Sequence, residues 1–273
     1  MSERDGYAHG VPCWVDSGQP DPEAAVAFYR GLFGWELEDR MPSDSPGQYF
    51  VAQVRGRDVA AIGSLPEGAP PTPAWNTYVW VDSADDVAAR ATEAGGTAIM
   101  EPFEVLEAGR MALLADPGGA PFCVWEPRGF RGAQLVNEPG AWSMSLLQTS
   151  DPEGAKAFYG DVFGWASETF DTGEEEITLW RVPGYEGGEP VQPVSREVVA
   201  GLVPMGGDGA AEDVPPRWSV DFWVDDVDVA AETAAELGGK VVVPPYDIPG
   251  FRQAALADPR GAEFTVSRLR LDD

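Results

Sequence analysis

The sequence predicts an α+β protein of two tandem halves, each carrying a doubled βαβββ pattern, and three internal repeats predict it. The run Asp21-Pro22-Glu23-Ala24-Ala25-Val26-Ala27-Phe28-Tyr29-Arg30-Gly31-Leu32-Phe33-Gly34-Trp35 returns 130 residues later, as Asp151-Pro152-Glu153 through Phe163-Gly164-Trp165, identical at ten of fifteen positions. Val79-Trp80-Val81-Asp82, leading to Ala94-Gly95-Gly96, returns as Phe222-Trp223-Val224-Asp225, leading to Leu237-Gly238-Gly239. Ala115-Asp116-Pro117-Gly118-Gly119-Ala120 returns as Ala257-Asp258-Pro259-Arg260-Gly261-Ala262. The landmarks keep their order, so a whole structural unit is repeated.

Each element follows from local pattern. Asp21 and Asp151 read as N-caps, each followed by a proline at the first helical position, where no N–H is needed. Ala25, Phe28, Tyr29 and Leu32 recur at helical spacing, and the helix stops at Gly34. A short strand precedes each of these helices, at Val11 to Ser17 and at Trp142 to Gln148. A second strand and helix follow in each half, at Thr77 to Val81 with Ala84 to Ala94, and at Val220 to Val224 with Val227 to Leu237. Strands bounded by Gly and Pro complete each unit, and the Ala-Asp-Pro-x-Gly-Ala turns join the last two strands as hairpins. The span from Thr172 to Arg217 departs from the repeat. It holds Glu174-Glu175-Glu176, Gly187-Gly188 and Gly206-Gly207, and is expected to be partly a mobile loop.

At 273 residues and 44% hydrophobic, the chain is long enough for two domains that each bury a core. The halves are read as residues 8–130 and 139–270, joined through the Gly-containing polar stretch from Arg128 to Gly140. No apolar run reaches bilayer-spanning length, and the polar N-terminus lacks the apolar stretch of a signal peptide. Two cysteines, Cys13 and Cys123, are too few for a disulfide framework and read as buried, inert thiols. A cytoplasmic location is therefore expected. The net charge of −28 argues against nucleic acid, whose phosphates need basic patches. Most of this acidity serves solubility; it would also draw cationic small molecules.

The Asp-Pro-Glu-x-Ala-x-x-Phe-Tyr run, with its closing Phe-Gly-Trp, and the Ala-Asp-Pro-x-Gly-Ala hairpins resemble the glyoxalase/bleomycin-resistance (vicinal oxygen chelate) superfamily, over nearly the whole chain and twice. The resemblance implies that paired βαβββ modules curl eight strands around one cavity in each domain. Metal-dependent members of that superfamily place His, Gln or Glu ligands on the first strand of each module and on the last strand. Here those places hold Trp14, Asn76 and Cys123 in the first half, and Met144, Ser219 and Thr265 in the second. None offers an imidazole or carboxylate oxygen to a divalent metal. The single histidine, His9, is placed in the N-terminal tail. No cofactor is expected.

Strand parity marks the same faces independently. Val79 and Val81, with Val220, Phe222 and Val224, form apolar faces suited to lie under helices. The alternate residues are Asn76, Tyr78 and Trp80, then Ser219, Asp221 and Trp223, joined by Trp14, Asp16, Cys123 and Trp125. These mixed faces suit a cavity that grips an amphipathic ring compound, although aromatic packing within a core explains the tryptophans equally well. Asp16 and Asp221 face the interior, where a carboxylate needs an arginine partner or water. Trp35, Trp165, Trp75 and Trp218 read as core anchors.

Two functions fit. One is metal-free binding of a planar, cationic aromatic molecule, either sequestering an antibiotic or assisting aromatic polyketide or anthracycline-type biosynthesis beside a pathway enzyme. These roles are implied by the resemblance. The other is an enzyme of the superfamily, a glyoxalase-like isomerase, a lyase or an oxygenase component. A metal-free version would use Asp16 or Asp221 as general base, without a His or Lys relay and without a G-x-S-x-G nucleophile elbow.

Overall fold

A computed structural model describes the chain except residues 1, 67, 69–70, 172–175, 188–194, 206–213 and 271–273. The first half runs β1 (Pro12–Gln19), α1 (Pro22–Phe33), β2 (Glu36–Asp39), β3 (Tyr49–Val54), β4 (Arg57–Ser64), β5 (Ala74–Trp80), α2 (Ala84–Glu93), β6 (Thr97–Val105), β7 (Gly109–Ala115) and β8 (Pro121–Pro127). The second repeats it as β9 (Trp142–Thr149), α3 (Pro152–Phe163), β10 (Ala166–Asp171), β11 (Glu176–Arg181), β12 (Val198–Pro204), β13 (Arg217–Trp223), α4 (Val227–Glu236), β14 (Lys240–Ile248), β15 (Phe251–Ala257) and β16 (Glu263–Leu269).

The helices begin and end where their caps dictate. The Asp21 carboxylate accepts the Ala24 N–H at 3.2 Å, and Asp151 accepts that of Gly154 at 3.0 Å. Gly34 and Gly164 close the helices at φ 69° and 73°, a conformation that favours glycine. Each half forms one eight-stranded mixed sheet, ordered β2-β3-β4-β1-β5-β8-β7-β6 and β10-β11-β12-β9-β13-β16-β15-β14. The first strands of the two modules pair antiparallel at the centre, and each pairs parallel with its module's last strand.

The structure refines the sequence reading in the second half, at the join and in the core. Within the span read as partly loop, β11 and β12 are the strands that complete the unit, β12 giving β9 the partner that β4 gives β1. Residues 172–175, 188–194 and 206–213 of that span lie outside the described residues. The join is also no free linker. Ala133, Leu135 and Val136 are buried, and the Ala133 and Gln134 N–H groups donate to the Cys13 and Asp58 carbonyls. His9, too, is tied down, its Nδ1 accepting the Asp82 N–H at 3.2 Å.

The core, too, differs from the sequence reading. Neither half buries the helix-bearing face of its sheet alone. One core joins the first module of the first half (Phe28, Tyr29, Trp35, Ile62) to the second module of the second half (Phe222, Ala230, Ala234, Phe264). The other joins Val79, Val87, Leu114 and Phe122 to Phe158, Tyr159, Trp165 and Trp180. The repeated motifs are the clamps of this exchange. Tyr29 donates to Asp258 of the opposite half at 3.2 Å and accepts from Trp75 at 3.1 Å. Tyr159 likewise donates to Asp116 at 3.1 Å and accepts from Trp218 at 2.9 Å. The Trp35 and Trp165 indoles donate across the seam to the Gly140 and Gly10 carbonyls, both at 2.7 Å.

Candidate functional site

The helices pack on one face of each sheet, and strand parity delivers the mixed residue set to the other face, the trough side. The two troughs differ. In the first, Asp16 on β1 stands among phenols and an amide. Its Oδ2 accepts the hydroxyls of Tyr49, at 2.9 Å, and Tyr78, at 2.8 Å, and its Oδ1 accepts the Asn76 amide at 2.8 Å. Phenols and an amide, rather than an arginine, pair this acid. Burial still outweighs these bonds and raises the Asp16 pKa above the usual carboxylate range.

Trp14 donates to the Tyr49 oxygen at 2.9 Å and meets Phe130 edge-on, ring centres 4.7 Å apart. Trp125 packs on the same Phe130 ring at 5.9 Å and donates its indole N–H to the Phe130 carbonyl at 3.0 Å. Trp80 lies between Tyr7, at 6.1 Å, and the Arg131 guanidinium, at 5.5 Å. Cys123 is buried beside Tyr78, and burial raises its thiol pKa, so a thiolate is disfavoured. The first trough is thus filled by its own side chains, and both Asp16 oxygens are engaged. Sequence reasoning missed Tyr49 and Phe130, which reach the trough from an outer strand and from the segment after β8.

The second trough follows another pattern. Leu146 stands where Asp16 stands in the first half, and the acid moves to the neighbouring strand, Asp221 replacing Tyr78. Asp221 lies opposite Met144 of β9 and beside Thr265 of β16. Met144, Ser219, Trp223 and Thr265 are half-buried, whereas Trp14, Trp80, Cys123 and Trp125 in the first trough are buried. Asp221 Oδ2 accepts the hydroxyls of Ser143, at 2.6 Å, and Ser267. Its Oδ1 is buried without a partner among the described residues. Burial outweighs the two hydroxyls and pushes the Asp221 pKa up to about 7. Ser143 and Ser267 stand where the first half has Cys13 and Trp125, a substitution legible only once Asp221 is known to sit between them.

The metal-ligand places implied by the resemblance hold no fitting donor set. Trp14 is tied to Tyr49, Asn76 to Asp16, and Cys123 is buried as a thiol. Met144, Ser219 and Thr265 supply a thioether and two hydroxyls. Among the described residues no three His, Cys, Asp or Glu side chains gather as a metal site. These residues do not suit a hard divalent ion.

Known proteins place this architecture. The sequence matches the Glyoxalase-like domain family twice, over residues 14–125 and 132–267. It is 38% identical over 270 residues to "Putative glyoxylase CFP32" of Mycobacterium tuberculosis, covering 97% of each chain. It is 37% identical to "Anthracycline biosynthesis protein DnrV" of Streptomyces peucetius, covering 97% of this chain and 95% of that one. The Mn(II)-bound glyoxalase of Novosphingobium aromaticivorans shares the fold at TM-score 0.61 and 16% identity, over 95% of this chain and 82% of that one. The 2,2',3-trihydroxybiphenyl 1,2-dioxygenase of Sphingomonas wittichii does so at TM-score 0.60 and 13% identity, over 95% and 90%. Matched twice along its length and similar end to end to curated relatives, the chain belongs to the glyoxalase-like family of the vicinal oxygen chelate superfamily, with two tandem domains.

Proposed function

We propose that the protein binds a planar, cationic aromatic molecule without a metal, and that the second trough is the site. The observation that carries this reading is Asp221, a buried carboxylate with one oxygen unpartnered, on a sheet face whose other residues keep partial contact with solvent. A buried polar atom left unpaired costs about 1–3 kcal/mol, and a ligand N–H would recover that cost through a charge-assisted bond. Trp223 and Met144 supply an aromatic and a polarisable surface for a ring. The likeness to an anthracycline biosynthesis protein supports an aromatic polyketide as ligand and a pathway enzyme as partner. A ligand in the first trough would first have to displace Phe130 and break the bonds around Asp16. Nucleic acid and membrane have no part in this reading, since a net charge of −28 repels phosphate.

The test is a titration with a cationic aminoanthraquinone, followed by quenching of tryptophan fluorescence. Quenching should saturate, Asp221→Asn should weaken binding about tenfold or more, and Trp223→Ala should weaken it more than removal of any surface Glu. Unchanged fluorescence and melting temperature across a panel of cationic polycyclic compounds would sink the proposal. One observation favours a second reading as an enzyme: a carboxyl titrating near 7 is matched to general acid–base work at neutral pH. Turnover of such a compound without metal, abolished in Asp221→Asn, would establish it.

A further inference from the structure

The pairing register traces a row of side chains across the trough side of the second sheet. Asp221 lies beside Thr265, Thr265 opposite Ala255, and Ala255 opposite Val243. Residues in register share a face. The residues between them on β15 and β16, Ala254, Leu256, Phe264 and Val266, belong to the core, so the row stands on the other side. It runs from the acid at the centre of the sheet to the edge strand β14, three strand spacings or about 14 Å away. In the neighbouring row Ser267 lies opposite Gln253, and Gln253 opposite Tyr246 at the same edge.

The first half carries the same row as Tyr78, Cys123, Leu113 and Met100. Both rows end on an exposed apolar side chain, Met100 or Val243, with Phe103 or Tyr246 alongside. The rim is therefore repeated, and the difference lies between rim and centre. Tyr78 gives way to Asp221, Leu113 to Ala255, and in the neighbouring row Trp125 gives way to Ser267. Three large side chains are thus replaced by small ones along one stretch of the second trough, with the apolar rim kept at its outer end. Val243 and Tyr246 are 41% and 40% exposed. Pro244 and Pro245 lie between them and lack the N–H groups that an added strand would pair with, so this edge offers side chains rather than backbone. A carboxylate at one end, small side chains in the middle and an apolar rim at the other end make an elongated seat for a molecule charged at one end.

We propose that the ligand of the second trough lies along this row, its ammonium at Asp221 and a linear system of three or more fused rings reaching Val243 and Tyr246, so that Ala255 and the rim select it by length. This rests on the trough reading and adds to it the ligand's orientation and least size. The test compares three primary amines of equal charge on the full-length protein at pH 8: benzylamine, 2-(aminomethyl)naphthalene and 2-(aminomethyl)anthracene. Affinities are read by calorimetry, the weakest amine by displacement of the tightest. With its ammonium at Asp221, the first spans about one strand spacing, the second nearly two and the third more than two. Each added ring should tighten binding about fivefold or more. Ring count alone would tighten any apolar contact, so the variants decide. Ala255→Leu, which installs the side chain that the first half holds in the same register, should weaken the naphthyl and anthracenyl amines about tenfold or more. Val243→Ser, on the exposed edge, should weaken only the anthracenyl amine, about threefold or more. Benzylamine should stay within about twofold of its parent affinity in both variants, being too short to reach either position. Melting curves check that the variants fold, and the exposed Val243 position keeps the test intact if Ala255→Leu does not. An anthracenyl amine no tighter than the naphthyl one, or a gain from the third ring that survives Val243→Ser, would overturn the row. The trough reading would then still stand, provided that Asp221→Asn weakens all three amines. No binding by any of them, or binding that Asp221→Asn leaves unchanged, would overturn both.

Discussion

Asp221 carries two serine hydroxyls on one oxygen and none on the other, and its stability consequences can be signed. Its pKa is about 7 in the fold against 3.8 as an ordinary aspartate. The unfolded chain therefore gives up this proton at lower pH than the folded one does. The contribution of Asp221 to stability is whole below about pH 4, declines as pH rises, and is lost above about pH 7. The loss approaches about 4 kcal/mol. Asn is nearly isosteric with the protonated acid and can accept the same serine bonds, so Asp221→Asn should melt like the parent protein at pH 4 and well above it at pH 8. Asp16 titrates in both proteins and cancels from the comparison. Equal melting differences at both pH values would show that Asp221 is not held as a buried acid.

At the scale of elements, the segment after β8 decides that the first trough is closed. Phe130 is half-buried, touches the Trp14 and Trp125 rings, and lies in no helix or strand. Phe130→Ala should cost about 2–3 kcal/mol, less than for a fully buried ring. It should also expose Trp14 and Trp125, so that acrylamide quenches more of the tryptophan fluorescence. An unchanged melt together with unchanged quenching would show that Phe130 does not seal this trough. The second trough gains its polarity from elements as well. Asp221, Ser143 and Ser267 come from three adjacent strands, and the irregular pairing of β9 with β13 brings Ser143 to the acid.

Across the whole molecule, the exchange of cores makes the halves mutually dependent. Residues 1–137 alone would expose Phe28, Tyr29 and Trp35 on one module and Val87, Leu114 and Phe122 on the other, each set missing its partner half. Asp116 and Asp258 would lose the tyrosines that cross the seam. Expressed separately, 1–137 and 138–273 should lack cooperative thermal transitions, and the intact chain should unfold in one. A sharp transition in either fragment alone would mean that the cores close locally after all.

Local chemistry in the sequence determined much of this protein. Caps at Asp21 and Asp151, helical spacing through Phe28 and Tyr29, and the Asp-Pro turns act within a few residues, and the doubling made them unambiguous. Alternation along a strand also assigns faces, which is why Trp14, Asp16, Asn76, Tyr78 and their second-half counterparts could be placed together. Which partners those side chains meet depends on residues distant in sequence. Tyr49 and Phe130 reach Asp16 and Trp14 from elements that carry no marking pattern. Tyr29 lies next to Asp258 because α1 of the first half packs against α4 of the second, not because of any spacing. Only the tertiary structure decided that one trough is filled while the other leaves a carboxylate oxygen unpaired, since burial and hydrogen-bond saturation are properties of packed neighbours rather than of a residue type.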